Sequence, residues 1–430
     1  MKSTVTIFLL TLLLFCWNNV FAQKTDNFVY KKDKIRLIVT SDIGGTDPDD
    51  KQSMIHFLVY TDVFDVEGII SAPWGNGRLK HILECIDAYE KDYPNLKTWS
   101  DFPNPNSLRA VSKQGAVLEA PSQGYSESTD GSKWIIECAR RPDPRPLYIA
   151  VWGAIDDVAQ ALNDAPDIID SIRVYWIAGP NRQRKNRPVF NSVIYMEENF
   201  KKLWWIQADQ TYRGMFNGGN MRGDLGNSSF PKQHVWGHGA LGEYFKKIRK
   251  SELKMGDTPS ILYYLNNDVT DPAKDGWGGA FVPYGNGTNW WRDNKDPSVK
   301  HGGYNGAKTV NKWREDFLRH WQNRMDWCVK ANPNPTTIAG YTNSKKKSLV
   351  NLSYYNGFLN TTNLNLSNNI GQGELFNMSG ISVTKFSLEP NINKLQVNLQ
   401  DVRPGAYIIK IQGVSLNISS KLIKTIRYKN

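Results

Sequence analysis

Asp42, Asp47, Asp49 and Asp50 set four carboxylates within nine residues, beyond the apolar run Leu37-Ile38-Val39 and on either side of the pair Gly44-Gly45. Carboxylates crowded at one turn repel each other unless a cation neutralises them, and a hard cation bound through oxygen, such as Ca²⁺, is the economical partner. The plainer use of Asp-Pro-Asp-Asp is to cap a helix, because an aspartate side chain accepts the unpaired N–H groups of a first turn. One aspartate suffices for that. Four exceed it, which favours the cation.

The elements that must position these groups follow from the pattern of apolar residues. Ile35, Leu37, Ile38 and Val39 predict a buried parallel strand, and Lys51 to Tyr60, with Met54, Ile55, Leu58 and Val59 at helical spacing, predicts the next helix. The carboxylates then lie at the carboxyl end of a strand, where open α/β sheets bind their ligands. The same alternation recurs: strand Phe64 to Ser71 before a helix from about Leu79 to Lys91, and strand Pro146 to Trp152 before a turn at Gly153 and a helix through Leu162. Further strands are expected at Ile172 to Ala178 and Trp204 to Ala208. This is an α/β fold, an open, mainly parallel sheet with helices on both faces.

Asp101 to Pro121 reads as a surface excursion, and Asp271 to Gly303 as an irregular, Trp- and Gly-rich loop over the mouth of the site. A helix over Val310 to Lys330 closes the first domain, residues 34–330, and the Asn-Pro-Asn-Pro stretch opens a linker, 331–346. From 347 to 430 short alternating strands predict a small all-β sandwich.

With 430 residues, 40% of them hydrophobic, the chain can bury a sizeable core. The formal charge of +11 is spread along the whole length, which argues against nucleic acid as a partner. Lys2, the apolar stretch Ile7 to Phe15 and Val20-Phe21-Ala22 have the order of a secretory signal peptide, residues 1–22. No later segment has the roughly 20 apolar residues of a membrane span. Cys85, Cys138 and Cys328 lack disulfide-framework or zinc spacing and read as small core residues, with one disulfide open to them. The 15 tryptophans serve either core packing or stacking on sugar faces.

A strand ending in Glu67-Gly68-Ile69-Ile70 and a loop Trp74-Gly75-Asn76-Gly77, placed after the Asp-rich loop, resemble the opening of the nucleoside hydrolases. The stretch Thr40-Ser41-Asp42-Ile43-Gly44-Gly45-Thr46-Asp47-Pro48-Asp49-Asp50-Lys51-Gln52-Ser53 is similar, more closely, to the secreted nucleoside-hydrolase-like domain of "cellulose-binding protein" type, in which Gly256-Asp257-Thr258-Pro259-Ser260 also recurs. The resemblance implies Ca²⁺ held by Asp42, Asp50, Asp257 and the backbone carbonyl of Trp152. It implies Asp42 as the base that activates water, and Asp47, Asp49, Asn76 and Asn191 as contacts to sugar hydroxyls. Three positions depart from the nucleosidase pattern: Thr40 replaces a leading Asp, Val189 an acidic residue, and Gly256 a His. Leu375-Phe376-Asn377-Met378-Ser379-Gly380, Pro404-Gly405-Ala406-Tyr407 and the late Lys421-Leu422-Ile423-Lys424 resemble the carboxyl-terminal sorting domain of the type nine secretion system, with a carbohydrate-binding module as the alternative.

The expectation is a secreted or cell-surface protein, exported through the periplasm, that meets the secretion machinery through its last domain. Its chemistry is expected to be Ca²⁺-dependent hydrolysis of an N-glycosidic or related glycosidic bond in a nucleoside or saccharide. The rival is a non-catalytic, cellulose-like polysaccharide-binding protein on the same fold.

Overall fold

The computed structural model describes residues 34–44, 47–73, 78–178, 189–248 and 251–333, together with seven strands between 351 and 424. The expected signal peptide, Asn76 and most of the linker lie outside the described residues. The chain divides into two compact units, Met1–Ile338 and Ala339–Asn430.

In the first unit the strands are β1 Ile35–Ser41, β2 Phe64–Ser71, β3 Ser112–Gln114, β4 Leu147–Trp152, β5 Ile172–Ile177, β6 Trp204–Ala208, β7 Phe281–Pro283 and β8 Trp290–Asp293. They form one sheet in the order β3-β2-β1-β4-β5-β6-β8-β7. Every neighbouring pair is parallel except β7 with β8. The helices are α1 Asp49–Leu58, α2 Leu79–Leu96, α3 Pro105–Ala110, α4 Asp130–Ala139, α5 Asp156–Asp164, α6 Val189–Asn199, α7 Ser229–His234, α8 Gly239–Lys247, α9 Thr258–Asn266, α10 Ala307–Asn311 and α11 Arg314–Val329.

The period of two along a strand sorts side chains onto two cores. On β4, Tyr148, Ala150 and Trp152 join the core shared with α1, α2, α8, α9 and α11, while Leu147, Ile149 and Val151 join the one shared with α4, α5 and α6. Both faces are therefore covered, as the near-continuous apolar strands require. Of the tryptophans, Trp17 and Trp74 lie outside the described residues, and every other one is buried or half-buried. Cys85, Cys138 and Cys328 are buried free thiols.

Two expectations need correction. The stretch expected to be an irregular loop over the site, 271–303, contains β7 and β8, and Trp205↔Trp290 pairing extends the sheet by a parallel strand. The Gly- and Asn-rich flanks mask a strand only four residues long, Trp290–Asp293. The 101–121 excursion likewise contains α3 and the edge strand β3, whose three residues, Ser-Lys-Gln, carry no apolar alternation.

The described residues of the second unit are all strands: β9 Asn351–Tyr355, β10 Phe358–Thr362, β11 Gly371–Asn377, β12 Ser382–Leu388, β13 Lys394–Asn398, β14 Gly405–Gly413 and β15 Leu416–Lys424. They form two antiparallel sheets, ordered β13-β10-β9 and β12-β11-β14-β15.

Candidate metal centre

β1 and β4 are neighbours, and their last residues, Ser41 and Trp152, pair. One step beyond, the Asp42 N–H donates to the Trp152 carbonyl at 3.1 Å, and the Ala72 N–H donates to the Ser41 carbonyl at 2.7 Å. These bonds fix Asp42 at the carboxyl edge of the sheet. Gly153 has φ +85°, and a Cβ there would overlap the Asp42 carboxylate. Glycine is needed both for the turn and for the room the carboxylate occupies.

α1 delivers Asp49 and Asp50 to the same place. Pro48 is its N-cap residue, and no side chain caps the first turn. The Ser41 hydroxyl instead donates to Asp50 Oδ1 at 2.6 Å. Asp257 stands at the N-cap of α9, yet its side chain makes no cap hydrogen bond, and its Oδ2 is buried with no partner. One oxygen from each of Asp49, Asp50 and Asp257 lies within 4.8 Å of the other two.

More than 200 residues separate these groups in sequence, and Gln52 is the main tie between them. Its Oε1 accepts the N–H groups of Lys254 at 2.9 Å and Met255 at 3.1 Å, and its Nε2 donates to the Glu252 carbonyl at 2.8 Å. Met255 is held at φ +37°, in the left-handed region that costs a side-chain-bearing residue energy. From the other side the Trp152 indole N–H donates to Ser260 Oγ at 2.8 Å, and Ser260 Oγ donates to the Asp257 carbonyl at 2.7 Å. Thr258 Oγ1 donates to Ser53 Oγ at 3.0 Å. The start of α9 is thus bolted to both α1 and β4.

The electrostatics follow from burial and crowding. Burial, then the Asp50, Asp49 and Asp47 charges, push Asp42 well above the usual carboxylate range. Burial and the neighbouring aspartates do the same to Asp49 and Asp257, and burial raises Asp50 to about 6 despite its Ser41 and Asp42 hydrogen bonds. Two unit charges 4 Å apart repel by about 4 kcal/mol at an effective dielectric of about 20. The cluster therefore holds protons or a cation. Among the described residues one cation reaches it: Lys254 Nζ pairs with Asp47 and comes within 4.0 Å of Asp49 Oδ1. An all-oxygen donor set with an unpaired, buried carboxylate oxygen fits a hard divalent ion.

Each sequence-derived candidate can now be placed. Asp42, Asp49, Asp50 and Asp257 are together. The Trp152 carbonyl stands beside them, one lone pair engaged by the Asp42 N–H. Asp47 is on the exposed rim, and hydrogen bonds to Asp49 and Lys254 outweigh its burial to hold its carboxyl below the usual range. Asn191, on α6, donates through Nδ2 to the Ala120 carbonyl at 3.0 Å and so fastens the 116–129 segment. Thr40, at the position of the nucleosidases' leading Asp, is buried with its Oγ1 unpaired. At Gly256 a Cβ would lie 2.6 Å from Asp49 Oδ2 and 3.3 Å from the Tyr212 ring. The space a larger side chain would need there is filled.

Sequence reasoning passed over Gln52, Ser41, Lys254 and Tyr212. Lys254, three residues before Asp257, carried a signal in its charge. Gln52 carried none, because its partners are backbone groups of a segment two hundred residues away.

Fold and site together define a nucleoside-hydrolase-like α/β protein with an acidic centre at the carboxyl edge of its sheet. The chain belongs to the family described as "Cellulose-binding Sde182, nucleoside hydrolase-like domain", which matches residues 36–281. A second family, "Secretion system C-terminal sorting domain", matches residues 354–425. That domain directs export by type IX secretion to the cell surface or extracellular space, and so engages the secretion machinery. Among the described residues no helix is long and apolar enough to cross a membrane.

Among solved structures, the chain is similar to a nucleoside hydrolase-related hypothetical protein from Saccharophagus degradans that is associated with carbohydrate metabolism. Identity is 22%, the TM-score 0.55, and the match covers 90% of this chain and 98% of that one. An inosine-uridine preferring nucleoside hydrolase from Bacillus anthracis matches at 14% identity and TM-score 0.40, over 68% of this chain and 100% of that one. No curated protein matches the sequence.

Proposed function

We propose that this protein is a calcium-dependent hydrolase of an N-glycosidic, nucleoside-like bond or a related glycosidic bond. The observation that carries the reading is the convergence of Asp42, Asp49, Asp50 and Asp257, with the Asp257 Oδ2 buried and unpaired. Asp42, Asp50, Asp257 and the Trp152 carbonyl would hold Ca²⁺. When bound, the ion supplies positive charge that fixes a vicinal diol and makes water more acidic.

The chain's own groups do the rest. Cleavage through an oxocarbenium-like transition state needs a water on one face of the sugar and a ring fixed by its hydroxyls. Asp42 accepts the proton of the attacking water. Asp49 and Asp47, with Asn76 and Asn191, accept and donate to the sugar hydroxyls, and the Lys254 ammonium orients Asp47. This machinery lies within residues 34–330. Residues 331–346 act as linker and 347–430 as a domain dispensable for chemistry, so truncation near Asn334 is expected to leave a folded, ion-binding protein.

A second reading has its own observation. Gly256 offers no acid to protonate a leaving base, and Asp49 and Tyr212 leave no room for one, which suits a polysaccharide-binding role on the same fold. Product analysis with nucleosides and plant oligosaccharides, with and without chelator, separates the two. Chelator-sensitive release of a free sugar supports hydrolysis. Binding to insoluble glucan that survives chelator and Asp42→Asn, without any product, supports the second reading.

A further inference from the structure

The Arg213 guanidinium lies over two rings beside the acidic centre, 5.3 Å from the Tyr212 centroid and 4.7 Å from that of Tyr304. Arg36, Arg109, Arg140, Arg145, Arg319 and Arg324 each pair with a carboxylate. Arg213 is half-buried, and among the described residues its guanidinium pairs with no carboxylate and its N–H groups are not sealed from solvent. We infer that Arg213 receives an oxyanion, a phosphate or a carboxylate, carried by the sugar derivative that occupies the acidic centre. The inference rests on the reading of that centre as a sugar site.

Position supports it first. Arg213 belongs to the short helical turn Thr211–Met215, which follows the carboxyl end of β6 and so stands at the same edge of the sheet as the acidic centre. Tyr212 joins the two. Its ring edge is 3.3 Å from the point where a Cβ on Gly256 would stand, and Asp49 Oδ2 is 2.6 Å from that point. Burial raises the Tyr212 hydroxyl above its ordinary range, and of the charges that act on it Arg213 lowers it while Asp49, Asp257 and Asp293 raise it. The guanidinium and the carboxylates of the centre therefore flank one phenol.

The turn is also held in place before any ligand arrives. The Asp293 carboxylate accepts the Gln210 N–H at 2.7 Å and the Thr211 N–H at 3.2 Å. Tyr304 is fixed by a tight turn in which its N–H donates to the His301 carbonyl at 2.9 Å, and the Asn305 N–H donates to Gln210 Oε1 at 2.9 Å. Binding then orders little new chain, which keeps its entropic cost low.

The chemistry of the two sides is complementary. The carboxylates of the centre accept hydrogen bonds from sugar hydroxyls when ionised. Arg213 brings the opposite, a planar fork of N–H donors that matches phosphate or carboxylate in a bidentate pair and still presents its edge when its face is stacked on a ring. The Tyr212 and Tyr304 hydroxyls, which bond to nothing among the described residues, add a donor on either side. Because the centre holds protons or a cation, its repulsion of a nearby anion is limited.

Binding is read without turnover. Ribose 5-phosphate with ribose, and glucuronate with glucose, are titrated calorimetrically into the full-length protein in excess Ca²⁺, so that the two pairs separate the two oxyanions. At least one anion is expected to bind about 10- to 100-fold more tightly than its neutral partner, and Arg213→Gln is expected to bring that anion to the affinity of the neutral sugar. Arg213→Lys, which keeps a charge over the rings without the fork, is expected to keep the melting midpoint and only part of the preference, and it serves as the test should the glutamine variant fail to fold. A preference that survives Arg213→Gln, or that is undiminished in Arg213→Lys, overturns the inference. So does the absence of a preference in both pairs, or of saturable binding by both anions. Loss of Ca²⁺ binding or of hydrolysis in separate experiments counts against the hydrolase reading and leaves the ratio of affinities readable.

Discussion

Asp49-Asp50 and Asp156-Asp157 are the same dipeptide in the same place, the first turn of a helix that follows a parallel strand. Their surroundings differ. Asp157 accepts the Ala116 N–H at 3.0 Å and the Thr129 hydroxyl at 2.6 Å, and Asp156 accepts the Ala120 N–H at 2.7 Å and the Ser192 hydroxyl at 3.2 Å. Gln160 continues the pattern by accepting the Ser126 N–H at 2.7 Å. Donors converge on this doublet, and it anchors the 116–129 segment. Around Asp49 and Asp50 it is other carboxylates that converge. A buried carboxylate needs hydrogen donors or a cation; the Asp156-Asp157 turn has the donors, whereas at the Asp49-Asp50 turn carboxylates face one another.

If that contrast is right, the largest effect belongs to Asp42. In Asp42→Asn the amide oxygen can still face an ion but cannot take a proton from water. Turnover of an identified substrate is expected to fall about 10²- to 10⁴-fold while Ca²⁺ binding persists. Unchanged turnover removes Asp42 from the chemistry.

Next in size is Gln52→Ala, which releases the segment that carries Asp257 without touching any carboxylate. Loss of a residue that orients metal ligands costs about 10- to 100-fold in affinity, readable as a weaker Ca²⁺ isotherm. An unaltered isotherm would mean that the Trp152–Ser260 and Thr258–Ser53 bonds suffice to place Asp257.

The contrast also shows what the sequence can reveal. The parallel strands, their turns and the acidic loop were legible because near-continuous apolar runs ended by a turn residue such as Gly153 are local properties. Asp42, Asp50 and Asp257 were reachable through their resemblance to a family. The donors that set the second Asp doublet apart were not legible, since those to Asp157 come from Ala116 and Thr129, and nothing in their spacing marks them. The same holds for β8: its partner β6 lies more than 80 residues earlier, and four residues among Gly and Asn give no periodicity.

Asp157→Ala sharpens the contrast from the other side. It leaves the Ala116 N–H and the Thr129 hydroxyl without their acceptor, at a cost of about 1–3 kcal/mol, and is expected to lower the melting midpoint with no change in Ca²⁺ affinity. A coupled loss of affinity would show that the two turns are not independent.

The smallest effect is a pH dependence. Burial, partly offset by its donors, raises Asp156 from 3.8 to about 7, and burial raises Asp157 to about 6. The folded state then holds these protons more tightly than the unfolded chain. The stability they contribute is complete below about pH 3.8 and is lost as pH rises through 6 to 7. With Ca²⁺ saturating, so that the acidic centre does not titrate, the melting midpoint is expected to fall from pH 5 to pH 8. His238, raised mainly by its hydrogen bond to Asp326, acts in the same direction, so wild type alone does not isolate the carboxylates. Asp156→Asn does, because the amide cannot titrate, and its profile over the same interval is expected to be flatter. A variant profile as steep as wild type would mean that the hydrogen bonds from Ala120 and Ser192 keep Asp156 ionised throughout.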